Sequence, residues 1–394
     1  MKKRILVLHN GYPMLSDSGD KTRTISMLRS LCKDTDELFF LAFYKRGGRF
    51  VNRERSKLPG NVTSFFFYTL PDRFPFFRFS LLLRSIITWW VVRCNHIDII
   101  QAETSLSAKS TMFVRGKVKL ITDFHADPVP ELSLNNASVS AINNAENDIT
   151  YALKNSDSII AVSETLYKNL SKKQDNNLPV SILPCCFNAE LFESVEQKKI
   201  EQLKEEYGLS NRIVLCYLGG LHKWQCVEET ILLFLKLRKL NPDYFLCLYT
   251  NDDISIYADL LKEAEGHYLC KSLKHTDVPL YLSIVDVGFV LRSDSLVNIN
   301  ASPTKTSEYM AAGAMVVTTR YAGDAPEIIN ACGYGVVLDE VEIEKEDILN
   351  VLNSSIHLFV ENKPQSSQQV RQYAFEHRVW QSNEQKLKVL YNTI

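Results

Sequence analysis

The sequence predicts an α/β protein made of two doubly wound domains, and three observations carry that prediction. Short apolar runs alternate with helix-period segments along most of the chain, the pattern of βα units on a parallel sheet. A strand, a glycine-containing loop and a helix occur together twice, from Ile5 and again from Ile213, about two hundred residues apart. Each such unit opens a doubly wound domain. The length of 394 residues exceeds one ordinary core and suits two of roughly 150 to 200 residues each.

Taken in order, Ile5 to His9 is an apolar run of the kind found in a central parallel strand. The polar stretch NGYPMLSDSGDK leads from it into a helix with Ile25, Leu28 and Leu31 on one face. Ser18, Gly19, Asp20 and Lys21 sit where backbone amides meet a phosphate or a sugar. Glu37 to Tyr44 reads as the second strand, and Asp34-Thr35-Asp36 before it mimics a metal-binding D-x-D but lies at a helix-to-strand turn. Phe65 to Arg93 interleaves aromatics and leucines with Arg73, Arg78, Arg84 and Arg93. A helix over Phe76 to Val92 would be apolar on more than one face, which fits either a core helix or a basic amphipathic helix at a membrane interface. Ile97 to Ala102 and Lys119 to Phe124 are strands, the latter followed by His125, which its position just past a strand end aims into a ligand crevice. Glu146 to Leu153 is helical and Ser158 to Ser163 is a strand. The first domain closes at the Cys185-Cys186-Phe187-Asn188 turn, and Lys198 to Tyr207 is a charged flanking helix.

The second series starts with the strand IVLCYL, the loop GGLHKWQ and a helix over Val227 to Leu240. Strands at Tyr244–Tyr249, Tyr268–Leu273 and Val285–Leu291 alternate with helices at Ile256–Gly266 and Asp277–Ser283. Asp294 to Asn300 reads as an irregular polar loop. Ser302-Pro303 then opens a helix that Gly313 closes, and the open start of such a helix holds an anion. Val341 to Leu358 reads as helix, and Gln365 to Tyr391 as a helical run packed through Tyr373, Phe375, Trp380, Leu387, Leu390 and Tyr391. Domain bounds are expected at 1–187, 188–368 and a returning C-terminal helix at 369–394.

Composition excludes several classes. The chain is 45% hydrophobic and 23% charged with a net charge of −1, so no global field draws it to nucleic acid. Nine cysteines form no C-x-x-C pair and fall mostly in apolar runs, as expected of buried thiols in a reducing cytoplasm. The apolar run Ile5 to Leu8 is too short for a signal peptide, and no window supplies the roughly 18 apolar residues of a spanning helix. A cytoplasmic location, with peripheral contact at the inner face of the membrane through 65–93, is the expectation.

The segment SPTKTSEYMAAGAMVVTTRYAGDAPE, together with YLGGLHKWQCVEE, DFHADPVPE, SDSGDKTRT and NSDSIIAVS, resembles the retaining glycosyltransferases of the GT-B fold, of the family-4 type found in bacterial surface-polysaccharide synthesis. The resemblance covers nearly the whole chain and is strongest from Ser302 to Glu327. It implies two Rossmann-like domains facing across a cleft, with the nucleotide-sugar donor held by the second and the acceptor by the first. Glu308 falls on the family's ribose-binding acid, Lys223 and Lys305 on the diphosphate side, and His125 faces the donor sugar. Gly219 and Gly220 bring the backbone close to phosphate. Gln225, Asn298, Ser302, Thr304 and Glu327 complete the donor contacts, and Trp224 is a loop contact beside them. One departure stands out: Asn300 occupies the first position of the family's E-x7-E spacing, and an amide supplies hydrogen bonds but no negative charge.

The implied reaction is transfer of a hexose, with retention and without metal or other cofactor, from a UDP- or GDP-sugar to a glycan or lipid-linked acceptor. Charge on the leaving diphosphate is then neutralised by lysines, glycine amides and a helix N-terminus. A nucleotide-sugar epimerase and a non-catalytic nucleotide-sugar-binding protein are the alternatives on the same scaffold.

Overall fold

A computed structural model of the chain describes residues 3–10, 19–34, 37–44, 58–70, 77–173, 178–340 and 345–394. It divides into one unit of Met1–Pro184 with Trp380–Ile394 and a second of Cys185–Val379. In the first unit the strands β1 (Ile5–His9), β2 (Leu38–Tyr44), β3 (Val62–Tyr68), β4 (Ile99–Glu103), β5 (Lys119–Phe124), β6 (Ser158–Ala161) and β7 (Val180–Ile182) form one sheet. Its order is β3-β2-β1-β4-β5-β6-β7. All of its pairings are parallel. The central strands β1 and β4 are buried at every position, and β1 accordingly reads as an almost continuous apolar run, while β4 buries Gln101 and Glu103 as well. The register pairs His9 with Glu103 and Glu103 with Asp123, setting three ionisable side chains in a row at the carboxyl end of the sheet. Helices α1 (Gly19–Asp34), α2 (Phe77–Asn95) and α3 (Val139–Asn155) connect these strands. Ser138 extends α3 seven residues before the expected start, its hydroxyl accepting from the Ala141 amide at 3.3 Å.

In the second unit β8 (Ile213–Leu218), β9 (Tyr244–Tyr249), β10 (Tyr268–Lys271), β11 (Val287–Val290), β12 (Met315–Thr319) and β13 (Gly335–Leu338) form a parallel sheet. The order is β10-β9-β8-β11-β12-β13. Its principal helices are α4 (Val227–Leu240), α5 (Thr304–Ala311), α6 (Ala325–Cys332), α7 (Glu346–Glu361) and α8 (Lys363–His377), and the apolar core lies between them and the sheet. α5 sits close to β11 because Gly288 has no side chain: a Cβ there would lie 2.3 Å from the Tyr309 ring. Tyr309 is fully buried, and its hydroxyl donates to the Cys216 carbonyl at 3.2 Å.

Three further segments differ from the sequence expectation. Leu296–Ile299 is a one-turn helix where a loop was expected, capped by the Ser295 hydroxyl, which accepts from the Asn298 amide. Ile254–Tyr257 is a 3-10 turn running into a short helix at Ala258–Lys262, in place of one longer helix. The C-terminal helical run is two helices, α8 and α9 (Gln381–Thr393), broken where Val379 bridges Phe187 and the Phe187 amide donates to the Arg378 carbonyl at 3.2 Å. The chain returns to the first unit at this break, so α8 belongs to the second unit and α9 to the first. The calls at Ser18, Thr35-Asp36, 71–76 and 341–344 lie outside the described residues.

Candidate functional site

The strand order of the second sheet reverses between β8 and β11, and open α/β sheets bind ligands beyond the carboxyl ends of the strands at such a switch point. β8 runs there into Gly219, whose φ of +138° is a conformation side chains rarely adopt. A Cβ at this position would lie 1.9 Å from the Lys305 Nζ. Glycine is therefore what lets the ammonium lie on the backbone. Lys305 donates to Gln225 Oε1 at 2.5 Å and stands 5.1 Å from the Tyr217 ring centroid. The Tyr217 hydroxyl, with one proton to give, lies 2.5 Å from the Gly220 carbonyl and 2.7 Å from Gln225 Oε1. Asp252 fixes the next residue by accepting from the Leu221 amide at 2.7 Å. Gly219, Gly220, Gln225 and Lys305 are thus brought together.

Lys223 lies on the 3-10 turn Lys223–Gln225 and is exposed. The flanking His222 and Trp224 rings stack with centroids 4.6 Å apart and 2° between planes. Asn298 is buried, and its amide donates to the Trp224 carbonyl at 3.0 Å and the Ser293 carbonyl at 2.8 Å. It pins the turn to the loop after β11. Asn300 ends the one-turn helix and is 3% exposed.

Lys305 and Glu308 are one turn apart on α5 and share a face. Glu308 is buried, and burial pushes its carboxyl up to about 7 against the opposing pull of Lys305. Burial, reinforced by repulsion from Arg292, holds the Lys305 ammonium well below its ordinary value. Arg292 is itself buried and also held down by desolvation. Lys305 is thus flanked by a second buried cation, Arg292, and a buried acid, Glu308, and burial disfavours the charged form of all three. No side chain caps the start of α5 at Pro303, and of its first amides that of Thr306 donates to the Pro303 carbonyl at 3.1 Å. Thr304, half-buried, is the first residue of that helix.

Ser302 faces a different task. Its hydroxyl donates to Asp324 Oδ2 at 2.8 Å and accepts from the Cys185 amide at 3.0 Å. Both belong to an ionic knot centred on the buried Arg378, which reaches Asp324 at 2.9 Å, Ser307 at 3.0 Å and the Cys185 carbonyl at 2.9 Å. Ser302 and Ser307 are thereby fixed on either side of Lys305. Glu327 is exposed in the first turn of α6.

In the first unit His125 follows β5, its Nε2 lying 2.9 Å from Glu103 Oε2 and 3.4 Å from Asp123 Oδ2. Ligand atoms of these three residues lie within 4.8 Å of one another, close enough to hold a metal ion. Asp123, however, already has a cation. Arg23, 2% exposed, reaches its two oxygens at 2.9 and 3.0 Å. Burial alone would raise the Asp123 carboxyl, but Arg23 and His125 outweigh it and hold it at about 2. Gln101 donates to Glu103 Oε1 at 2.6 Å and accepts from the Tyr391 hydroxyl of α9. Gly19, Asp20 and Lys21 form the first turn of α1.

Sequence reasoning missed Arg292, Tyr217, Asp252, Arg378, Asp324, Glu103 and Asp123. The available signal was a charged residue at the end of a buried strand, as in IIQAE and KLITDF.

Residues 196–377 match the family model described as "Glycosyl transferases group 1". An uncharacterized glycosyltransferase of Methanocaldococcus jannaschii is 24% identical over 188 residues, 47% of this chain, and the match spans 46% of that relative's length. Among solved structures, HepE of Anabaena in complex with UDP superposes with a TM-score of 0.74 at 14% identity, over 99% of this chain and 100% of that one. Sucrose-phosphate synthase from Thermosynechococcus elongatus superposes with a TM-score of 0.72 at 14% identity, over 99% of each chain. The chain therefore has the GT-B fold of these glycosyltransferases, and a group 1 glycosyltransferase domain occupies residues 196–377.

Proposed function

We propose that this protein is a retaining, metal-independent glycosyltransferase that moves a hexose from a UDP- or GDP-sugar to a glycan or lipid-linked acceptor in bacterial surface-polysaccharide synthesis. The observation that carries the reading is Lys305 lying on Gly219 and bonded to Gln225, one turn from the buried Glu308. A nucleoside diphosphate offers what that crevice lacks. Its phosphates supply negative charge to Lys305, Arg292 and the open start of α5, with the exposed Lys223 reaching in from the turn. Its ribose hydroxyls donate to the Glu308 carboxylate. The HepE structures, which hold UDP or UDP-glucose on the same fold, support a uridine donor.

In the proposed step the bond from the anomeric carbon to the diphosphate oxygen breaks, and the diphosphate leaves with the electron pair. The acceptor hydroxyl oxygen bonds to that carbon, and its proton passes to the departing phosphate oxygen. Cationic side chains stabilise the leaving group in place of a metal ion. Asn300 orients its surroundings by hydrogen bonding and adds no charge to the oxocarbenium-like centre. His125, held by Glu103 and Asp123, is assigned to the sugar, and the first unit to the acceptor.

The test is release of nucleotide from a panel of UDP- and GDP-sugars, read by mass spectrometry, in wild type and in Glu308→Ala and Lys223→Ala. Turnover by wild type with strong loss in both variants supports the assignment. Wild-type activity in both variants removes it, and donor binding without turnover over many acceptors returns the reading to a binding protein.

A further inference from the structure

Helix α2 turns polar side chains inward and apolar ones outward along most of its length. Its inward side carries Ser80, Arg84, Ser85 and Thr88, all 1% exposed or less, and then the buried Val91 and Val92, while Phe79, Leu82, Leu83, Ile86, Trp89 and Trp90 on the opposite side are 39% to 67% exposed. The spacing i, i+3/i+4, i+7, i+10/i+11 makes these six one continuous stripe. Ser80, Arg84 and Ser85 are hydrogen-bonded, Ser85 donating to the Leu81 carbonyl at 2.8 Å, while the buried Thr88 hydroxyl has no partner among the described residues. The Arg84 Nε donates to the Thr69 hydroxyl at 3.1 Å, and its guanidinium stands 5.8 Å from the centroid of the Phe43 ring. The Ser80 hydroxyl lies 2.9 Å from that of Thr69 and donates to the Leu70 carbonyl at 3.0 Å. Arg84 therefore belongs to the interior, and only Arg78 and Arg93 remain as exposed charges on the helix.

Surface helices of proteins that meet only water turn their apolar face to the core, and contiguous exposed apolar patches mark interaction sites. We infer that α2 docks, apolar stripe inward, on the headgroup region of an anionic lipid bilayer. Three features select that occupant. The helix has 19 residues, about 28 Å at 1.5 Å per residue, yet no helix among the described residues is long and apolar enough to cross a membrane. It is thus suited to lie in the interface plane. Paired tryptophans at the surface, with arginines near both ends, suit the boundary where rings sit at headgroup level and guanidinium groups meet phosphate. Residues 77–95 contain three arginines and no acid. A second copy of α2 would therefore place arginine against arginine with nothing on the helix to neutralise it, whereas anionic lipid supplies the missing charge. This inference stands apart from the donor-site reading, because it rests on the first unit alone.

The test is flotation of the full chain with vesicles of phosphatidylcholine alone and of phosphatidylcholine mixed equally with phosphatidylglycerol. Wild type is expected to float with the mixed vesicles, with a blue shift of tryptophan emission and quenching by brominated lipid. Ile86→Asp and Trp90→Asp, both on exposed positions, are expected to lower the partition about tenfold with unchanged thermal midpoints. Arg78→Glu combined with Arg93→Glu should abolish the preference for phosphatidylglycerol. Absence of flotation with either vesicle, or flotation of Ile86→Asp equal to wild type, overturns the proposal. So does a wild-type dimer in sedimentation that Ile86→Asp disperses, since the occupant is then a second copy.

Discussion

Glu308→Gln separates the stability of the crevice from its ligand affinity. The carboxyl has an ordinary value of 4.5 and is pushed up to about 7 by burial. At about 1.36 kcal/mol per tenfold change in proton affinity, that difference amounts to about 3 kcal/mol. The folded pKa is the higher one, so the unfolded chain releases its proton first as pH rises. Stability of the wild type therefore falls between pH 4.5 and about 7, and the full penalty persists above that range. Glutamine has nearly the same shape and no charge to desolvate. The variant should match wild type below pH 4.5 and exceed it above pH 7, by about 1 to 3 kcal/mol once Lys305 has lost its carboxylate neighbour. The assay is urea unfolding across this pH range for both proteins. Titration with UDP should show the opposite ranking, because a charge-assisted hydrogen bond to ribose, about 1.5 to 3 kcal/mol, is lost. Wild-type affinity should itself weaken as pH falls through about 7, while that of the variant should not. A stability difference that is independent of pH, or a glutamine variant less stable at high pH, refutes the reasoning.

Other perturbations probe the same scaffold. Gly219→Ala places a Cβ 1.9 Å from Lys305 Nζ in a backbone conformation with φ +138°, and UDP affinity measured by calorimetry should drop about tenfold. Unchanged affinity would mean that Lys305 moves aside freely. Arg378→Leu strands Asp324 and the Ser302 and Ser307 hydroxyls. It should cost about 3 to 5 kcal/mol, read as a lowered thermal midpoint that Arg378→Lys restores in part. Arg23→Met removes the partner of Asp123, whose carboxyl, ordinarily 3.8, is held at about 2. Because the folded value is the lower one, that stabilisation is present above pH 3.8 and lost as pH falls to about 2. The wild-type advantage in urea should therefore shrink over that acid range, and an advantage that persists at pH 2 argues against the pairing.

Much of the scaffold was legible locally. β5, β9 and α4 fall on the residues that apolar runs and turn chemistry mark out, since these signals operate within about ten residues. Gly219, Gly220 and Lys305 lie in local patterns, a glycine loop after a strand and a lysine at the start of a helix, whereas Glu308 was marked by the family resemblance, since an acid near a helix start also fits the helix dipole alone. The break between α8 and α9 was not, because Val379 pairs with Phe187, far away in sequence.

By itself, then, the sequence determined the alternation of strands and helices, the two sheets and the cationic loop and helix of the second unit. Tertiary structure alone decided which charges are internal. Arg23 meets Asp123 across 100 residues, and Arg378 meets Cys185 across 193. Arg84 turns inward while the apolar side of its helix faces out. Periodicity records which side chains share a face of an element. Whether that face meets a core, a counter-ion or a surface depends on neighbours that only the packed chain brings together.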